Sequence, residues 1–319
     1  MSPILWWICA LLSCGWAHEG APDAAYEQKK KSSEATMRFA NVDFLSKEET
    51  LVQVFLYREP KTGMLVSHEK REFVLQQVDP TAKTYVMFNG HPSRDSTKPY
   101  FALRTALFQE GPANIFFVYI DWTKHSITFA DALDLAESLG QHVGEILISF
   151  EVQNPQFIAH CAGAEVATSV AKYLNGRLAT KVPRMTVFDP YITNRTKLNF
   201  VGDFADFVDV YHAGIYVPAF PPIGTVDFYP NAGTEQPGCQ STNEQKTFLC
   251  HHRRSIYLYT ESILQGVNAL EANYDLGESN VQVLDEPRLA PFGHSANPGV
   301  EGVFYLPTFG QSPFLMNYF

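Results

Sequence analysis

The sequence predicts an α/β fold in which helices cover both faces of a mostly parallel central sheet. Short apolar segments of strand length alternate with helical segments through the centre of the chain. A sharp turn flanked by small residues also joins a strand to a helix at residues 157–163. With 319 residues, of which 45% are hydrophobic, the chain is long enough to bury one substantial core.

The first half of the chain supplies the early strands of this sheet. Val52–Tyr57 alternates between apolar and polar residues as a strand does. Glu72–Val78 is a second predicted strand. Tyr85–Phe88 is continuously apolar, which is typical of a buried parallel strand. Ile115–Ile120 has the strongest strand pattern in the chain.

Helices are predicted between the strands. Pro99–Phe108 can begin with proline because the first helical turn tolerates it. Phe129–Phe150 places its apolar residues on one face. Ala162–Leu174 has small and apolar residues at spacings of three and four. Two further strands follow, at Met185–Phe188 and Phe207–His212.

The turn after Phe157–Ala159 has Cys161 at its apex, with Ala159 two residues before and Gly163 two residues after. This spacing matches a nucleophile elbow, G-x-S-x-G, in which bulky flanking residues would clash with a strained apical residue. The elbow indicates an α/β-hydrolase fold and makes Cys161 the candidate nucleophile, although cysteine stands where the pattern has serine. Gly293–Ser295 begins like an elbow but lacks the closing glycine, so we do not assign it a catalytic role.

The first 17 residues have the pattern of a secretory signal peptide. Ile4–Leu12 is apolar but too short to span a bilayer, and Gly15-Trp16-Ala17 is a suitable cleavage site. Residues 18–45 are then expected to be a polar N-terminal arm and residues 46–319 one domain. A net charge of -10 argues against nucleic-acid binding. We predict no cofactor, metal site or transmembrane segment.

The cysteines indicate one disulfide. Cleavage of the signal peptide would remove Cys9 and Cys14 and leave three cysteines. In an oxidising compartment two of these should pair. Cys239 and Cys250 are close in sequence, so we predict that they pair and that Cys161 is a free thiol.

A candidate acid and several candidate bases follow the elbow in the chain order nucleophile, acid, histidine. Asp189 comes directly after the strand Met185–Phe188, where a carboxylate could orient an imidazole. An Asp before Pro is also a common turn residue. His160 is expected to point away from the apex and His212 to be a core histidine. The residues alone do not rank the four candidate histidines, which are His160, His212, His251 and His252.

Nine short segments carry a resemblance to a known family. They are Asn89–Gly90, Ile120–Trp122, Ala159–Gly163, Phe188–Pro190, Ala205–His212, Pro222–Asn231, Gln236–Cys239, Cys250–Ser255 and Gly302–Leu306. In this order, the segments resemble the pancreatic-lipase family of secreted lipases and phospholipases. The resemblance extends from about residue 50 to the end of the chain, where the family's catalytic domain ends, and implies no C-terminal β-sandwich.

The resemblance implies a catalytic triad and an oxyanion hole. The triad would be Cys161, Asp189 and His252, because the family's histidine lies two residues after the second lid cysteine. The oxyanion hole would consist of the backbone N–H groups of His91 and Ala162. A lipid or lipid-surface ligand is the implied partner.

The resemblance also implies a lid. Cys239 and Cys250 resemble the pair that closes the family's lid, and the ten residues Gln240–Leu249 between them are short and polar, as in its phospholipase A1 members. Gly214–Ile223 matches a loop beside the family's active site and either contacts lipid or packs in the core. Asn194 begins an N-glycosylation sequence, Asn-Arg-Thr.

Three residues depart from the family's pattern near the chemistry. Cys161 replaces serine, Ala159 replaces the first elbow glycine and Asn89 replaces the histidine of the family's His-Gly. A thiolate is a strong nucleophile, so Cys161 does not by itself exclude catalysis. It is also a good leaving group, which disfavours attack on ordinary esters.

These departures leave three functional hypotheses. The first is a secreted lipase-fold protein with weak or no ester hydrolase activity that binds lipid or serves as a yolk-type storage protein. The second is an active phospholipase A1-like or triacylglycerol lipase that uses Cys161 in lipid catabolism. The third is a thiol-dependent acyltransferase or redox-sensitive protein.

Overall fold

The computed structural model describes residues 51–91, 97–122, 135–191, 203–214 and 220–316. The predicted signal peptide, the N-terminal arm and Asn194 lie outside these residues, as does the start of the predicted helix Phe129–Phe150. Within the described residues, twelve strands form one sheet. They are β1 (Val52–Tyr57), β2 (Gly63–Leu65), β3 (Lys83–Phe88), β4 (Ala113–Ile120), β5 (Gln156–His160), β6 (Arg184–Phe188), β7 (Val208–Tyr211), β8 (Val226–Pro230), β9 (Asn268–Asp275), β10 (Asn280–Val283), β11 (Leu289–Pro291) and β12 (Gly302–Leu306).

The strands lie in the order β10-β9-β12-β8-β7-β6-β5-β3-β4-β1-β2, and β11 pairs with β9 outside this path. The central strands, from β12 to β4, are parallel to one another. Antiparallel strands complete the sheet on both sides, through β9 beside β12 and β1 beside β4. The predicted α/β-hydrolase fold, with a mostly parallel sheet, is confirmed.

Five α-helices accompany the sheet in the described residues. They are α1 (Arg71–Gln77), α2 (Thr97–Glu110), α3 (Ala136–Ser149), α4 (Gly163–Leu178) and α5 (Glu244–Leu264). Helices α3 and α4 pack together in one hydrophobic cluster, and α2 and α5 contribute to a second cluster. The sheet strands contribute side chains to both clusters, as expected for strands buried on both faces. None of the described helices is long and apolar enough to cross a membrane.

The predicted strand Glu72–Val78 is wrong, because this segment forms α1 instead. Only Val74 is buried in α1, and Phe73 is 56% exposed. A short apolar run of this kind is compatible with either a strand or a helix. The Glu and Gln residues that flank it favour the helix. The other predicted strands agree with β1, β3, β4, β5, β6 and β7 to within a few residues.

Helix α5 is not among the predicted elements, although it carries a proposed triad residue. It is 21 residues long, and Asn243 caps it by accepting a hydrogen bond from the Lys246 backbone N–H at 2.9 Å. Because the helix begins at Glu244, it contains both the second half of the lid and the Cys250–Ser255 segment. The lid and His252 therefore belong to one continuous helix.

A buried polar cluster lies at the start of β6, at the opposite end of that strand from Asp189. The Arg184 guanidinium donates two hydrogen bonds to the Asp209 carboxylate, at 2.9 and 2.7 Å. The Tyr211 and Thr186 hydroxyls donate to the same carboxylate at 2.7 and 2.9 Å. Arg184 also donates to the carbonyl oxygen of Gly293, so Gly293–Ser295 lies at this end of the sheet, away from the elbow.

Candidate active site

The elbow places Cys161 between the end of β5 and the start of α4. The φ angle of Cys161 is 54°, a left-handed conformation that is unfavourable for a residue with a side chain. Two backbone hydrogen bonds hold it: the Cys161 N–H donates to Phe188 O at 3.0 Å, and Ala164 N–H donates to Cys161 O at 3.1 Å. The thiol is thereby fixed at the carboxyl end of the parallel strands.

Close backbone contacts explain the glycines around the elbow. A Cβ atom at Gly163 would lie 2.7 Å from the carbonyl oxygen of Asn89. A Cβ atom at Gly90 would lie 2.7 Å from both Cys161 Cβ and His160 Nδ1. Such distances do not occur between unstrained atoms, so both positions need glycine for the elbow and the 89–91 loop to pack together. Ala159, by contrast, is fully buried and fits within the core.

Asp189 and His252 form a buried acid–imidazole pair. The His252 Nδ1–H donates to Asp189 Oδ2 at 2.6 Å, and Ala213 N–H donates to Asp189 Oδ1 at 2.9 Å. Asp189 is only 1% exposed and His252 only 2%. A carboxylate that accepts from Nδ1 leaves Nε2 as the nitrogen that faces the reaction, which is the arrangement that a general base needs.

The other three candidate histidines have different partners. His212 Nε2 lies 2.7 Å from Asp227 Oδ1, and its ring stacks on Tyr229. His251 Nδ1 accepts from the Gln236 N–H at 2.8 Å. We expected His160 to point away from the apex. Its ring nevertheless contacts the His252 ring, with the two centroids 4.2 Å apart.

Cys161 lies close enough to His252 to influence the imidazole. The Cys161 thiol lies 3.8 Å from the His91 carbonyl oxygen, to which it donates. Within the described residues, His252 Nε2 is buried and has no hydrogen-bond partner. Burial lowers the pKa of His252, but the electrostatic interaction with Cys161 and the hydrogen bond to Asp189 outweigh burial and raise the pKa to about 10. The imidazole can therefore serve as a proton donor.

Two rings enclose the His252 imidazole. His160 lies on one side, and Phe248 stacks on the other with centroids 5.6 Å apart. Phe248 belongs to the predicted lid and precedes His252 by one turn of α5, a spacing that brings helical side chains together. Cys161 itself is only 3% exposed, and the lid residue Phe248 covers part of the imidazole beside it.

The 89–91 loop, predicted to carry one oxyanion donor, is fixed from two directions. The Asn89 side chain accepts from Ile120 N–H at 2.7 Å and donates to Ile120 O at 3.0 Å. The Gly90 N–H donates to the Tyr100 hydroxyl at 2.9 Å, and that hydroxyl lies 3.1 Å from His160 Nδ1. The Asn89 side chain thus pairs with Ile120, the last residue of β4, through two hydrogen bonds. These bonds explain why an amide side chain occupies position 89. The oxyanion roles of His91 and Ala162 stay predictions.

Sequence reasoning missed Phe248 and Tyr100. The four-residue spacing of Phe248 and His252 would have predicted their contact if α5 had been recognised. The contact of Tyr100 with the elbow has no local signal, since it depends on where α2 lies. Within the described ranges, no group of three or more His, Cys, Asp or Glu side chains is placed to hold a metal ion.

The described ends of the 214–223 loop lie against the core. Phe220 and Ile223 are buried, and the Phe220 ring lies over His212. Residues 215–219 lie outside the described residues. The packed-core interpretation therefore holds for the described end of this loop.

The predicted disulfide joins Cys239 and Cys250, and Cys161 is a free thiol among the described cysteines. We expect non-reducing mass mapping of the denatured protein, after alkylation, to find a Cys239–Cys250 linked peptide and an alkylated Cys161. Burial predicts that Cys161 in the native protein reacts much more slowly than after denaturation. A bridge from Cys161 to either of the other two cysteines would contradict the assignments of both the lid and the elbow.

Comparison with known proteins gives one family and several distant relatives. The family model described as Lipase matches residues 18–280. Phospholipase A1 2 of Polistes dominula is 23% identical over 235 residues, which cover 66% of this chain and 72% of that protein. Hepatic triacylglycerol lipase of Oryctolagus cuniculus is 31% identical over 175 residues, 46% of this chain and 34% of that protein. A solved hormone-sensitive lipase from a metagenome library has a TM-score of 0.28 at 14% identity, covering 66% of this chain and 78% of that chain. A TM-score this low supports no conclusion.

Proposed function

Because this chain belongs to the Lipase family, we propose that it is a secreted lipid-binding protein with weak carboxylic ester hydrolase activity, of the yolk or storage type. The observation that carries the proposal is the environment of Cys161. Asp189 and His252 form the pair that hydrolysis would need, but the candidate nucleophile is sulfur, and its thiol donates to the His91 carbonyl oxygen.

The chemistry of sulfur accounts for the proposed weak activity. The Cys161 thiolate would attack the ester carbonyl, and the N–H groups of His91 and Ala162 would stabilise the oxyanion. The tetrahedral intermediate can then lose either the thiolate, which returns the substrate, or the alcohol, which leaves a thioester. Loss of the alcohol requires His252 to donate its proton, whereas the thiolate leaves unaided. Return to substrate is therefore favoured.

Secretion and domain organisation belong to the same proposal. The signal peptide would end near Ala17, the arm would cover residues 18–45, and residues 46–319 would be the lipase-like domain. The Cys239–Cys250 disulfide supports an oxidising compartment. Asn194 would then be a glycosylation site.

A second candidate is an active phospholipase A1-like or triacylglycerol lipase that uses Cys161. The retained bond between Asp189 and His252, at 2.6 Å, favours it, since a protein without catalysis has no need of an oriented imidazole. The ten-residue lid and the relative from Polistes dominula named as a phospholipase A1 favour phospholipid as its substrate.

Assays of the purified protein on short-chain esters, triacylglycerol and phospholipid separate the two candidates. We expect its rates to lie within about tenfold of those of Cys161→Ala, while both proteins bind lipid equally well. The alanine variant is the matched control because it removes only the sulfur. Robust hydrolysis that Cys161→Ala abolishes would replace the first candidate by the second.

A further inference from the structure

A pocket with a positive charge lies along α5 and includes two residues of the lid. Its volume is about 320 Å³, and the α5 residues Lys246, Leu249, Arg253 and Tyr257 line it. These residues are three or four positions apart, so they lie along one face of the helix. Phe314, from the C-terminal segment, closes the other side.

The two cations that face this pocket have no partners within the part of the chain that the structure describes. Among the described residues, neither the Lys246 ammonium nor the Arg253 guanidinium forms a hydrogen bond or ion pair, and no described carboxylate lines the pocket. Arg254 is different, because it donates to the carbonyl oxygens of Pro237 and Phe309 and stacks 3.9 Å over Phe314. Arg254 therefore builds the wall, whereas Lys246 and Arg253 are available to a ligand.

This arrangement is unusual for a chain with a net charge of -10. Unpaired cations gathered on one face attract anions, and Arg and Lys are the side chains that recognise phosphate groups. The wall of the pocket supplies an aliphatic side chain, Leu249, and two aromatic rings, Tyr257 and Phe314. A ligand with both a phosphate and an apolar part matches this lining.

The pocket is adjacent to the candidate active site. Arg253 follows His252 directly, and Leu249 follows Phe248, which covers the imidazole. Burial and then the charge of His252 lower the pKa of His160 well below its usual value, and the charge of Arg253 adds to this effect. The Arg253 guanidinium is thus close enough to influence the elbow.

Exposed apolar residues at the border favour a lipid surface over a soluble phosphate. Phe309 is 51% exposed, and its carbonyl oxygen accepts from Arg254 at the base of the pocket. Lys246 is exposed at the rim. An exposed aromatic ring beside cations suits the boundary between lipid headgroups and acyl chains, where amphipathic side chains accumulate.

We propose that the pocket formed by Lys246, Leu249, Arg253, Tyr257 and Phe314 binds the phosphate of an anionic phospholipid headgroup at a lipid surface. This inference rests on the part of the proposed function in which the protein binds lipid. It does not require the protein to hydrolyse esters. It predicts that the lid edge of the molecule faces the surface, with the candidate active site directly behind it.

Vesicle binding of the full-length natural protein tests this proposal. Sedimentation would compare vesicles of phosphatidylcholine alone with vesicles that also contain phosphatidylglycerol. We expect tighter binding to the anionic vesicles and a decrease as salt is raised. The double variant Lys246→Gln/Arg253→Gln should bind the anionic vesicles about 20- to 30-fold more weakly, at about fivefold for each cation.

Matched controls distinguish an effect of the pocket cations from an effect of the overall charge of the protein. Lys61→Gln/Lys70→Gln makes the same change of charge at exposed positions near β2, at the far edge of the sheet, and should alter binding by less than about twofold. Thermal unfolding checks the fold of each variant. The second pocket variant is Lys246→Glu, at an exposed position. It should weaken binding to the anionic vesicles by at least the roughly fivefold expected for loss of one cation.

Several outcomes would overturn the inference. Equal binding to both kinds of vesicle would do so, as would equal losses in the pocket and control variants. Displacement from vesicles by millimolar inorganic phosphate, but not by chloride of the same ionic strength, would indicate a site for soluble phosphate instead. Binding to neutral lipid without a headgroup preference would contradict this inference but not the proposed lipid-binding function. Absence of lipid binding together with robust hydrolysis would contradict the proposed function as well.

Discussion

Cys161→Ser is expected to raise the rate of ester hydrolysis by about 10²-fold, the scale on which a misplaced oxyanion contact alters catalysis. Serine restores an oxygen at an apex whose backbone, at φ 54°, is already held in the elbow conformation. Asp189 already orients His252, and the buried Nε2 lacks a partner that a serine hydroxyl would supply. An alkoxide also leaves the tetrahedral intermediate less readily than a thiolate, so the acyl-enzyme forms more often.

The pH dependence gives an independent readout of this variant. The negative charge of Cys161 is one of the causes that raise the pKa of His252 to about 10. Serine removes that charge, so the pKa of His252 should fall. A general base acts in its neutral form, and the activity of Cys161→Ser should therefore increase with pH and reach its plateau below pH 10.

Steady-state kinetics on a short-chain ester would measure the gain. The matched control is Cys161→Ser/His252→Ala, which should return to the rate of the natural protein because triad members act as a unit. A gain that survives loss of His252 would contradict the triad. No gain in Cys161→Ser would place the defect in the 89–91 loop or in access past Phe248.

Asp209→Ala is expected to lower the free energy of unfolding by about 3 to 5 kcal/mol, the effect of leaving a buried charge without its partner. The Asp209 side chain is 0% exposed and accepts two hydrogen bonds from Arg184, whose side chain is 16% exposed. Alanine would leave the Arg184 guanidinium with only the carbonyl oxygens of Gly293 and His294. The Thr186 hydroxyl would also lose an acceptor.

Denaturant unfolding followed by circular dichroism would measure this loss. Asp285→Ala removes an exposed carboxylate and should change stability by less than about 0.5 kcal/mol. Replacing both partners, in Arg184→Met/Asp209→Leu, should recover much of the loss, because no unpaired charge remains. A loss of less than about 1 kcal/mol in Asp209→Ala would mean that water reaches Arg184 and solvates it.

The centre of the fold could be predicted because its strands are buried on both faces. Tyr85–Phe88 and Ile115–Ile120 are continuously apolar, and such runs have few alternatives to a buried strand. Helix α5 escaped prediction because His251, His252, Arg254 and Ser255 are all buried on it. Polar residues in the core hide the apolar stripe by which a helix is normally recognised.

The residues of the candidate site could likewise be predicted only in part. Asp189 could be predicted from chain order, since it follows the strand next to the elbow. The choice of His252 required resemblance to a family, because three of the candidate histidines, His212, His251 and His252, follow Asp189 in the chain. The ring of Phe248 over His252, and the Tyr100 hydroxyl beneath the 89–91 loop, depend on how distant segments pack. No local pattern encodes such contacts.

The continuity of the lid with α5 has a consequence for how lids of different lengths can evolve. Only Gln240–Asn243 separates the disulfide from the first residue of α5. Residues inserted there would enlarge the lid without changing the register between Phe248, Cys250 and His252, because the helix fixes that register. A long lid could therefore be acquired or lost by insertion or deletion in one exposed loop, while His252 stays in place. Insertions between Phe248 and His252 would instead change that register and move the Phe248 ring away from the imidazole.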